Sequence, residues 1–254
     1  AASYDKYKGD RNHAFWYFDK EMADATEKYY ANERGKTEQY IGFEQKGKLI
    51  TFNPKSHVRM FPSFQPEADG VTFHLKAVYT DTLRNEYSKE HSTHPIRMSR
   101  ICGPVEVVND TTFTVRFYRM GLDNPKRTGG ICLMASVKQD HKYRSAVQQV
   151  EIRIPYRNKE GIPQRIIFPK LSDVKASVKE ISLNGTADSG LPVYYYVKEG
   201  PAEIKGDKLV LTKIPPRAKF PVKVTVVAWQ YGRSGEPKVQ TAEAVEQSFY
   251  ITAR

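Results

Sequence analysis

The stretch GPAEIKGDKLVLT, at Gly200–Thr212, is nearly repeated by GPVEVVNDTTFTV at Gly103–Val115. Each copy begins with Gly-Pro, runs in apolar alternation to a polar pair, Gly206-Asp207 or Asn109-Asp110, and then alternates again. Alternation with a period of two is typical of a half-buried β-strand, and such polar pairs are typical of tight hairpin turns. Both stretches are therefore predicted to be β-hairpins, each entered through a proline that cannot donate to a central ladder.

The likeness extends beyond these hairpins. SAVQQVEIRI at Ser145–Ile154 matches EAVEQSFYI at Glu243–Ile251 at nearly the same offset, and GGICLMASV corresponds loosely to VKVTVVAW. An offset near one hundred residues is about the length of one β-sandwich domain. The sequence therefore predicts tandem immunoglobulin-like β-sandwiches, the first over residues 37–157 and the second over residues 158–254.

A helix is predicted before the strands begin, within a helical lead-in over residues 1–36. In Asp10–Gly35 one stripe of apolar side chains recurs at three- and four-residue spacing, which is typical of an amphipathic helix: Phe15, Phe18, Met22, Ala25 and Tyr29. Aromatic residues also lie off this stripe, so the helix needs cover on more than one side. The fold class is therefore mostly β, with one N-terminal amphipathic helix that the sheet, a preceding catalytic domain or a partner chain would cover.

Three further stretches of the first predicted sandwich have clear patterns. EQYIGFEQKGKLITFN predicts a hairpin that turns at Gln45–Lys48. In GVTFHLKAVYTDT, Gly70–Thr82, alternate positions from Val71 to Tyr79 are apolar, which predicts one continuous half-buried strand with His74 on its polar side. The polar stretch Leu83–Arg97 is predicted to be a loop.

Charge and composition limit the possible partners. The 254-residue chain has a formal net charge of +11, but its acidic and basic residues are mixed throughout. Dispersed positive charge favours an acidic glycan slightly and is more typical of a solubility feature than of a binding footprint. No nucleic-acid motif and no basic stripe is present, so nucleic acid is not an expected partner. No apolar run is long enough to cross a bilayer. The start at Ala1 indicates a processed or trimmed terminus, so the lack of an export signal in this sequence does not argue for the cytoplasm.

Residue patterns typical of catalysis are scarce. The sequence has no glycine-rich phosphate loop, no zinc-binding helix motif and no nucleophile elbow, so no catalytic residue, metal or cofactor is predicted. His91 and His94, beside Glu90, could form a weak metal site, but a solvated loop is favoured. Cys102 and Cys132 are interpreted as two small buried side chains, with a single cross-strand disulfide as the alternative.

Aromatic side chains provide the candidate binding residues. Proteins that bind sugars commonly stack planar rings on the faces of the sugar, and two clusters of this sequence offer such rings: Tyr194, Tyr195 and Tyr196 in one strand, and Trp229 and Tyr231 with Arg233 beside them. One side of the tyrosine strand faces the core, so at least one tyrosine is expected to be exposed. The alternative is that Trp229 lies in the core and the tyrosines line a sheet.

The segment SGLPVYYYVKEGPAEIKGDKLVLT, Ser189–Thr212, resembles bacterial immunoglobulin-like modules of secreted and surface proteins from Bacteroidetes-type polysaccharide-utilisation systems. The resemblance covers about the last eighty residues and rests on the Ser-Gly-Leu-Pro-Val entry, the tyrosine-rich strand, Gly-Pro-Ala and the Gly-Asp turn. It implies export to the periplasm or cell surface, and often a catalytic domain that precedes the modules. Such modules have no fixed catalytic or binding residues, so the resemblance assigns none here.

Together these observations predict a non-catalytic, exported region of a polysaccharide-utilisation protein that binds or positions a polysaccharide or oligosaccharide. One alternative is a polysaccharide hydrolase or lyase, or part of one whose catalytic domain precedes this chain. A hydrolase of this kind would need two carboxyl groups about 5–10 Å apart in a cleft. A second alternative is a structural spacer that binds no ligand.

Overall fold

A computed structural model describes residues 24, 25, 28, 31, 32, 34–50, 62–117 and 128–253. The protein is nearly all β in these ranges, with several small sheets, as in a β-sandwich. Most of Asp10–Gly35 lies outside the described residues, so the helix and its apolar stripe stay predictions. Within the described ranges, no helix has the length and apolar character that crossing a membrane requires.

Eighteen strands are present in the described ranges. Strands β1 to β9 are Tyr40–Gln45, Lys48–Ile50, Thr72–His74, Lys76–Thr80, Arg97–Cys102, Val105–Val107, Thr112–Val115, Thr128–Val137 and Ala146–Pro155. Strands β10 to β18 are Ile166–Ile167, Val174–Lys175, Glu180–Ser182, Thr186–Ala187, Tyr194–Glu199, Ala202–Lys205, Lys208–Leu211, Val222–Trp229 and Val245–Thr252. Residues 37–157 are called the N-terminal half below, and residues 158–253 the C-terminal half.

Each half contains several small sheets. In the N-terminal half the strand orders are β2-β1-β4, β3-β7-β6 and β5-β8-β9. In the C-terminal half they are β12-β16-β15, β11-β18-β17-β14 and the pair β10-β13. A segment near the start of each half pairs in parallel with one near its end: Thr37 with Tyr143, just before β9, and Val174 of β11 with Ile251 of β18.

The three predicted hairpins are present, but only two have tight turns: β6 and β7 close on the pair Val107 and Phe113, so Asn109-Asp110 lies in a longer loop. In the pairing of β1 with β2, Phe43 lies opposite Ile50 and Gln45 lies opposite Lys48. The two residues between them, Lys46 and Gly47, have positive φ angles of 50° and 75°. The last paired residues of β15 and β16 are Lys205 and Lys208, so Gly206-Asp207 forms the turn between the strands. Positive φ at both central residues is typical of a type I′ turn at Lys46-Gly47, whereas at Gly206-Asp207 only Gly206 has it, with φ 63°; glycine removes the steric cost of this conformation.

The two Gly-Pro pairs occupy matching positions beside a long central strand. Gly103 has φ +97°, and a Cβ there would lie 2.4 Å from the Gly130 carbonyl oxygen on β8. Gly200 has φ +101°, and its Cβ would lie 2.7 Å from the Lys223 carbonyl oxygen on β17. Both positions therefore require glycine for two reasons, the backbone conformation and the close approach of a neighbouring strand.

The prediction of one strand over Gly70–Thr82 is wrong. The chain forms β3 and β4 instead, and these strands belong to different sheets: β3 pairs with β7, and β4 pairs with β1. Phe73 and Leu75 are buried, but beyond the break the buried positions are Val78 and Thr80. Ala77 and Tyr79 lie opposite the buried Phe43 and Ile41 of β1, so they stay on the face of the larger core cluster but are only half-buried there.

Two hydrophobic clusters form the core. The larger one is built mainly from the N-terminal half, with Phe73, Phe113 and Ile131 among its fully buried members, but it also takes side chains from the C-terminal half. These are Tyr196, Val227, Trp229 and Tyr231. The second cluster lies within the C-terminal half and includes Leu209, Val224 and Phe249.

The interpretation of both cysteines as buried is wrong for Cys102, which is exposed, whereas Cys132 is half-buried. Both are thiols in the structure, and they are direct partners in the antiparallel pairing of β5 with β8. Opposed residues of antiparallel strands have Cα atoms about 4.5–5.5 Å apart, which lies within the range that a disulfide spans.

We therefore expect mild oxidation to join Cys102 to Cys132. Thiol titration of the unfolded protein should find two reactive groups before oxidation and none afterwards, because no other cysteine is present in the sequence. In the variant Cys102→Ser, Cys132 has no intramolecular partner, so the monomer should keep its one thiol under the same conditions, and any thiol that is lost should be recovered as disulfide-linked dimer. Two thiols that survive oxidation of the wild-type protein would show that the local bulge keeps the sulfur atoms apart.

Candidate functional site

Most of the aromatic residues predicted to bind a ligand lie at the contact between the two halves, whereas Tyr195 lies in the second core cluster, within the C-terminal half. Trp229 and Tyr231 have no exposed surface, and Tyr195 and Tyr196 are 6% and 8% exposed. Tyr194 and Arg233 are half-buried. The expectation of an exposed ring in this tyrosine strand is therefore wrong, and the alternative interpretation, that these rings pack in the core and line a sheet, describes their positions.

Ring contacts across this region join the two halves; we call this set of contacts the junction. Trp229 stacks on Tyr194 with ring centroids 4.9 Å apart and meets the edge of Phe117, from the N-terminal half, at 5.2 Å. Tyr231 packs against Phe117 at 5.7 Å and donates its hydroxyl to the Pro155 carbonyl. Arg233 reaches back to the Ala68 carbonyl at 3.0 Å.

The Tyr194 ring is already in contact with two neighbouring side chains. Trp229 is stacked against the ring, and the guanidinium of Arg116 lies 5.9 Å from its centroid. Burial raises the pKa of Tyr194 to about 12, since a phenolate loses its hydration there. A sugar ring would have to displace one of these neighbours in order to stack on Tyr194.

A different set of aromatic and polar side chains faces solvent beside β4. These residues line an open groove of about 450 Å³, called the Tyr79 groove below. Its side chains come from β1, β4, the loop after β4, and the turn between β6 and β7: Glu44, Lys76, Tyr79, Tyr87, His91 and Asp110 are members of this lining.

Two aromatic surfaces define the groove. The His91 ring lies parallel to the Tyr79 ring, with an interplanar angle of 8° and centroids 4.1 Å apart. The Tyr79 hydroxyl donates to the His94 carbonyl at 2.7 Å. Tyr87 is 49% exposed, and its hydroxyl donates to Glu44 at 2.7 Å, a bond that raises the pKa of Tyr87. Both tyrosines are therefore held by their hydroxyl groups, while ring surface stays accessible at Tyr87 and His91.

A buried hydrogen-bond network fixes the loop that carries His91. Ser92 is 1% exposed; its backbone NH donates to the Gln39 side chain at 3.2 Å, and its hydroxyl is hydrogen-bonded to Asp140. Asp140 also accepts the backbone NH groups of Lys142 and Tyr143. These bonds lower the pKa of Asp140 to about 2, so the carboxylate is ionised at neutral pH.

The charged side chains of the groove are of both signs. Asp110 accepts a 2.8 Å bond from the Met98 backbone NH and a 2.8 Å ion pair from Arg97, and these contacts lower its pKa. Lys76 pairs across the strands with Glu44 in the ladder between β4 and β1. The lining thus offers carboxylate acceptors and one ammonium donor beside the rings.

The metal hypothesis for Glu90, His91 and His94 gains no support from these contacts. Glu90 forms an ion pair with Lys142 at 2.9 Å, and His91 is stacked on Tyr79. In the part of the chain that the structure describes, no group of three or more His, Cys, Asp or Glu side chains is arranged to hold a metal ion.

Sequence reasoning did not identify the Tyr79 groove. It placed Tyr79 on the buried side of a continuous strand, and it treated Leu83–Arg97 as a solvated loop. The sequence feature that could have indicated the groove is the clustering of Tyr and His in that loop, where Tyr87, His91 and His94 lie close together.

Comparison with known proteins adds little to this description. No protein-family model matches the chain, and no curated protein matches it. Human protocadherin-24 EC1-2 aligns at 12% identity and a TM-score of 0.29, over 84% of this chain and 98% of that one. Drosophila N-cadherin EC1-4 aligns at 11% identity and a TM-score of 0.27, over 85% of this chain and 51% of that one. Likeness at this level assigns neither family nor function.

Proposed function

We propose that the chain is a non-catalytic pair of tandem immunoglobulin-like β-sandwiches that holds its two halves, and any domain or glycan attached to them, in a fixed relative orientation. The observation that carries this proposal is the junction, where Trp229 and Tyr231 of the C-terminal half are fully buried in the core cluster of the N-terminal half.

The strand orders support the tandem arrangement. Sheet β3-β7-β6 corresponds strand by strand to β12-β16-β15, and β5-β8-β9 corresponds to β14-β17-β18. The glycines Gly103 and Gly200 sit at equivalent places in the two halves, each pressed against the strand that is central to its sheet. The Gly-Pro sequence that is repeated in the two halves thus occurs where each half needs a residue without a Cβ atom.

Contacts at the junction support the fixed orientation. Domains that share a small polar interface are expected to move relative to each other, whereas a large hydrophobic interface suppresses such motion. Here the contact is aromatic, and hydrogen bonds between the halves reinforce it: the Tyr231 hydroxyl donates to the Pro155 carbonyl, and Arg233 donates to the Ala68 carbonyl at 3.0 Å.

The contacts of the groove carboxylates favour a non-catalytic protein over the hydrolase alternative. A glycosidase needs one carboxyl group with a raised pKa to act as the general acid. Asp110 has a lowered pKa because Met98 and Arg97 stabilise its ionised form. It is therefore poorly suited to donate a proton at neutral pH.

Export and a role in polysaccharide utilisation are part of this proposal through the resemblance of Ser189–Thr212 to bacterial surface modules. The solvent-facing aromatic groove supports a glycan as the molecule that is bound or positioned. In the alternative of a structural spacer that binds no ligand, the junction would be needed to fix the orientation, but the groove would have no role.

The fixed orientation can be tested with residual dipolar couplings of backbone amides in weakly aligned protein. We expect the couplings of both halves to fit one alignment tensor, because the junction couples the halves rigidly. Tyr250→Ala, on an exposed position of β18, should leave this result unchanged. Two tensors of different magnitude for the wild-type halves would contradict the proposal.

A further inference from the structure

We propose that the Tyr79 groove is a binding site for a neutral oligosaccharide. This site lies entirely in the N-terminal half, and the inference goes beyond the positioning role of the junction. It does not require the two halves to be rigidly coupled.

The groove has the dimensions and composition of a small-molecule site. Its volume of about 450 Å³ falls within the range of about 300–1,000 Å³ that is usual for ligand sites, which combine aromatic walls with a few polar groups. Unlike the rings at the junction, Tyr87 and His91 face solvent, so a ligand would displace only water from them.

The aromatic groups match the chemistry of a sugar. A pyranose has C–H groups on its faces and hydroxyl groups around its edge, so it needs a planar ring beneath it and polar partners at its sides. His91 is held parallel on Tyr79, which fixes the orientation of its outer face. The half-exposed ring of Tyr87 is fixed in turn by the bond of its hydroxyl to Glu44.

The charges favour a neutral ligand over an acidic one. Although the whole chain has a net charge of +11, the groove is lined by the carboxylates of Glu44 and Asp110 and by only one lysine, Lys76. Glu44 lies opposite Lys76, and Asp110 is ion-paired with Arg97 at 2.8 Å, so the groove has no excess of positive charge that would attract a polyuronate. Hydroxyl groups of a neutral sugar could instead donate to these carboxylates as charge-assisted hydrogen bonds.

The loop beneath the site is already ordered. Ser92 and His94 are bonded to each other and, through Ser92, to Gln39 and Asp140. Binding would therefore not have to order this segment, and the entropic cost of association would be correspondingly smaller.

Affinity electrophoresis tests the site with three probes: a neutral β-glucan, a neutral galactomannan and the polyanion polygalacturonate, each at low and raised salt. We expect retardation by at least one neutral polysaccharide that persists at raised salt, since screening weakens only charge attraction. Tyr87→Ala and His91→Ala should each weaken it about tenfold, as removal of a main contact residue does. His91→Phe, which keeps a planar ring, should retain most of the binding.

The matched control is Tyr250→Ala, which removes a tyrosine of similar exposure, 42%, from the other half. It should not change retardation. No retardation by either neutral polysaccharide would overturn the inference, as would retardation by polygalacturonate alone that disappears at raised salt. Neutral binding that Tyr87→Ala leaves unchanged would place the site elsewhere and also overturn it. None of these outcomes affects the dipolar-coupling test, so the two proposals can fail separately.

Discussion

Replacing Trp229 with alanine should lower the free energy of unfolding by about 3–5 kcal/mol, the range measured for deletion of a buried large aromatic side chain. Trp229 has no exposed surface and touches aromatic rings of both halves, Tyr194 and Phe117. The alanine variant would leave a cavity between the halves, which neither half can close without moving relative to the other.

Equilibrium denaturation measures this effect. Trp229→Phe should cost much less than Trp229→Ala, because a ring would still fill most of the site. Trp229→Phe would also remove the unfavourable free energy of burying the indole Nε1, which has no hydrogen-bond partner among the described residues. Tyr250→Ala should change stability by no more than about 0.5 kcal/mol, as is usual for exposed positions. A loss below about 1 kcal/mol for Trp229→Ala would show that the ring is not an essential part of the packing.

Gly200→Ala and Gly103→Ala should each destabilise the protein by about 3 kcal/mol or more. About 1–2 kcal/mol comes from a non-glycine residue with positive φ, and overpacking adds about 1–3 kcal/mol. The obstacles are backbone atoms: the Lys223 oxygen at 2.7 Å and the Val224 Cα at 2.8 Å for Gly200. Backbone atoms of a paired strand cannot rotate away as the end of a side chain can.

The variant Gly190→Ala separates the conformational cost of positive φ from the cost of overpacking. Gly190 has φ +74°, but nothing lies within 4 Å of the Cβ position there, so this variant should lose only the conformational part, about 1–2 kcal/mol. Thermal and chemical denaturation of the three variants provide the comparison. Equal losses at Gly190 and Gly200 would mean that the neighbouring strand β17 moves aside at little cost.

The hairpins could be predicted from sequence because their determinants are local. A positive φ angle at Gly47 or Gly206 depends on the residue itself and on the turn that it closes. The same locality explains why the repeated Gly-Pro phrase indicated corresponding hairpins in both halves before any strand pairing was known.

The division between β3 and β4 could not be predicted in this way. Val71, Phe73 and Leu75 continue in phase with Ala77 and Tyr79 in the sequence, yet the chain leaves one sheet for another between Leu75 and Lys76. Apolar alternation identifies a strand, but it does not specify which partner the strand pairs with. The half-buried position of Tyr79, opposite Ile41, therefore depends on pairing with β1, a strand that is distant in sequence.

The exposure of aromatic residues was not predictable for a related reason. Trp229 and Tyr231 follow a strand and resemble a loop platform in sequence, but the other half of the protein covers them. Conversely, the groove combines residues from positions 44 to 110, which only sheet pairing brings together. Burial by a neighbouring unit and assembly from separated segments are both properties of tertiary structure.

The parallel pairing of an early segment with a late one in each half has a mechanical consequence. Thr37 is bonded to Lys142 and Arg144, both at 2.8 Å, and Val174 and Lys175 lie alongside Ile251 and Thr252. If the chain were stretched from its two ends, as a tether between a surface and a polymer would be, these segments would be pulled in opposite directions along their own axes. The hydrogen bonds between them would then be loaded together in shear and not broken one after another. Such an arrangement resists force better than its modest number of bonds suggests.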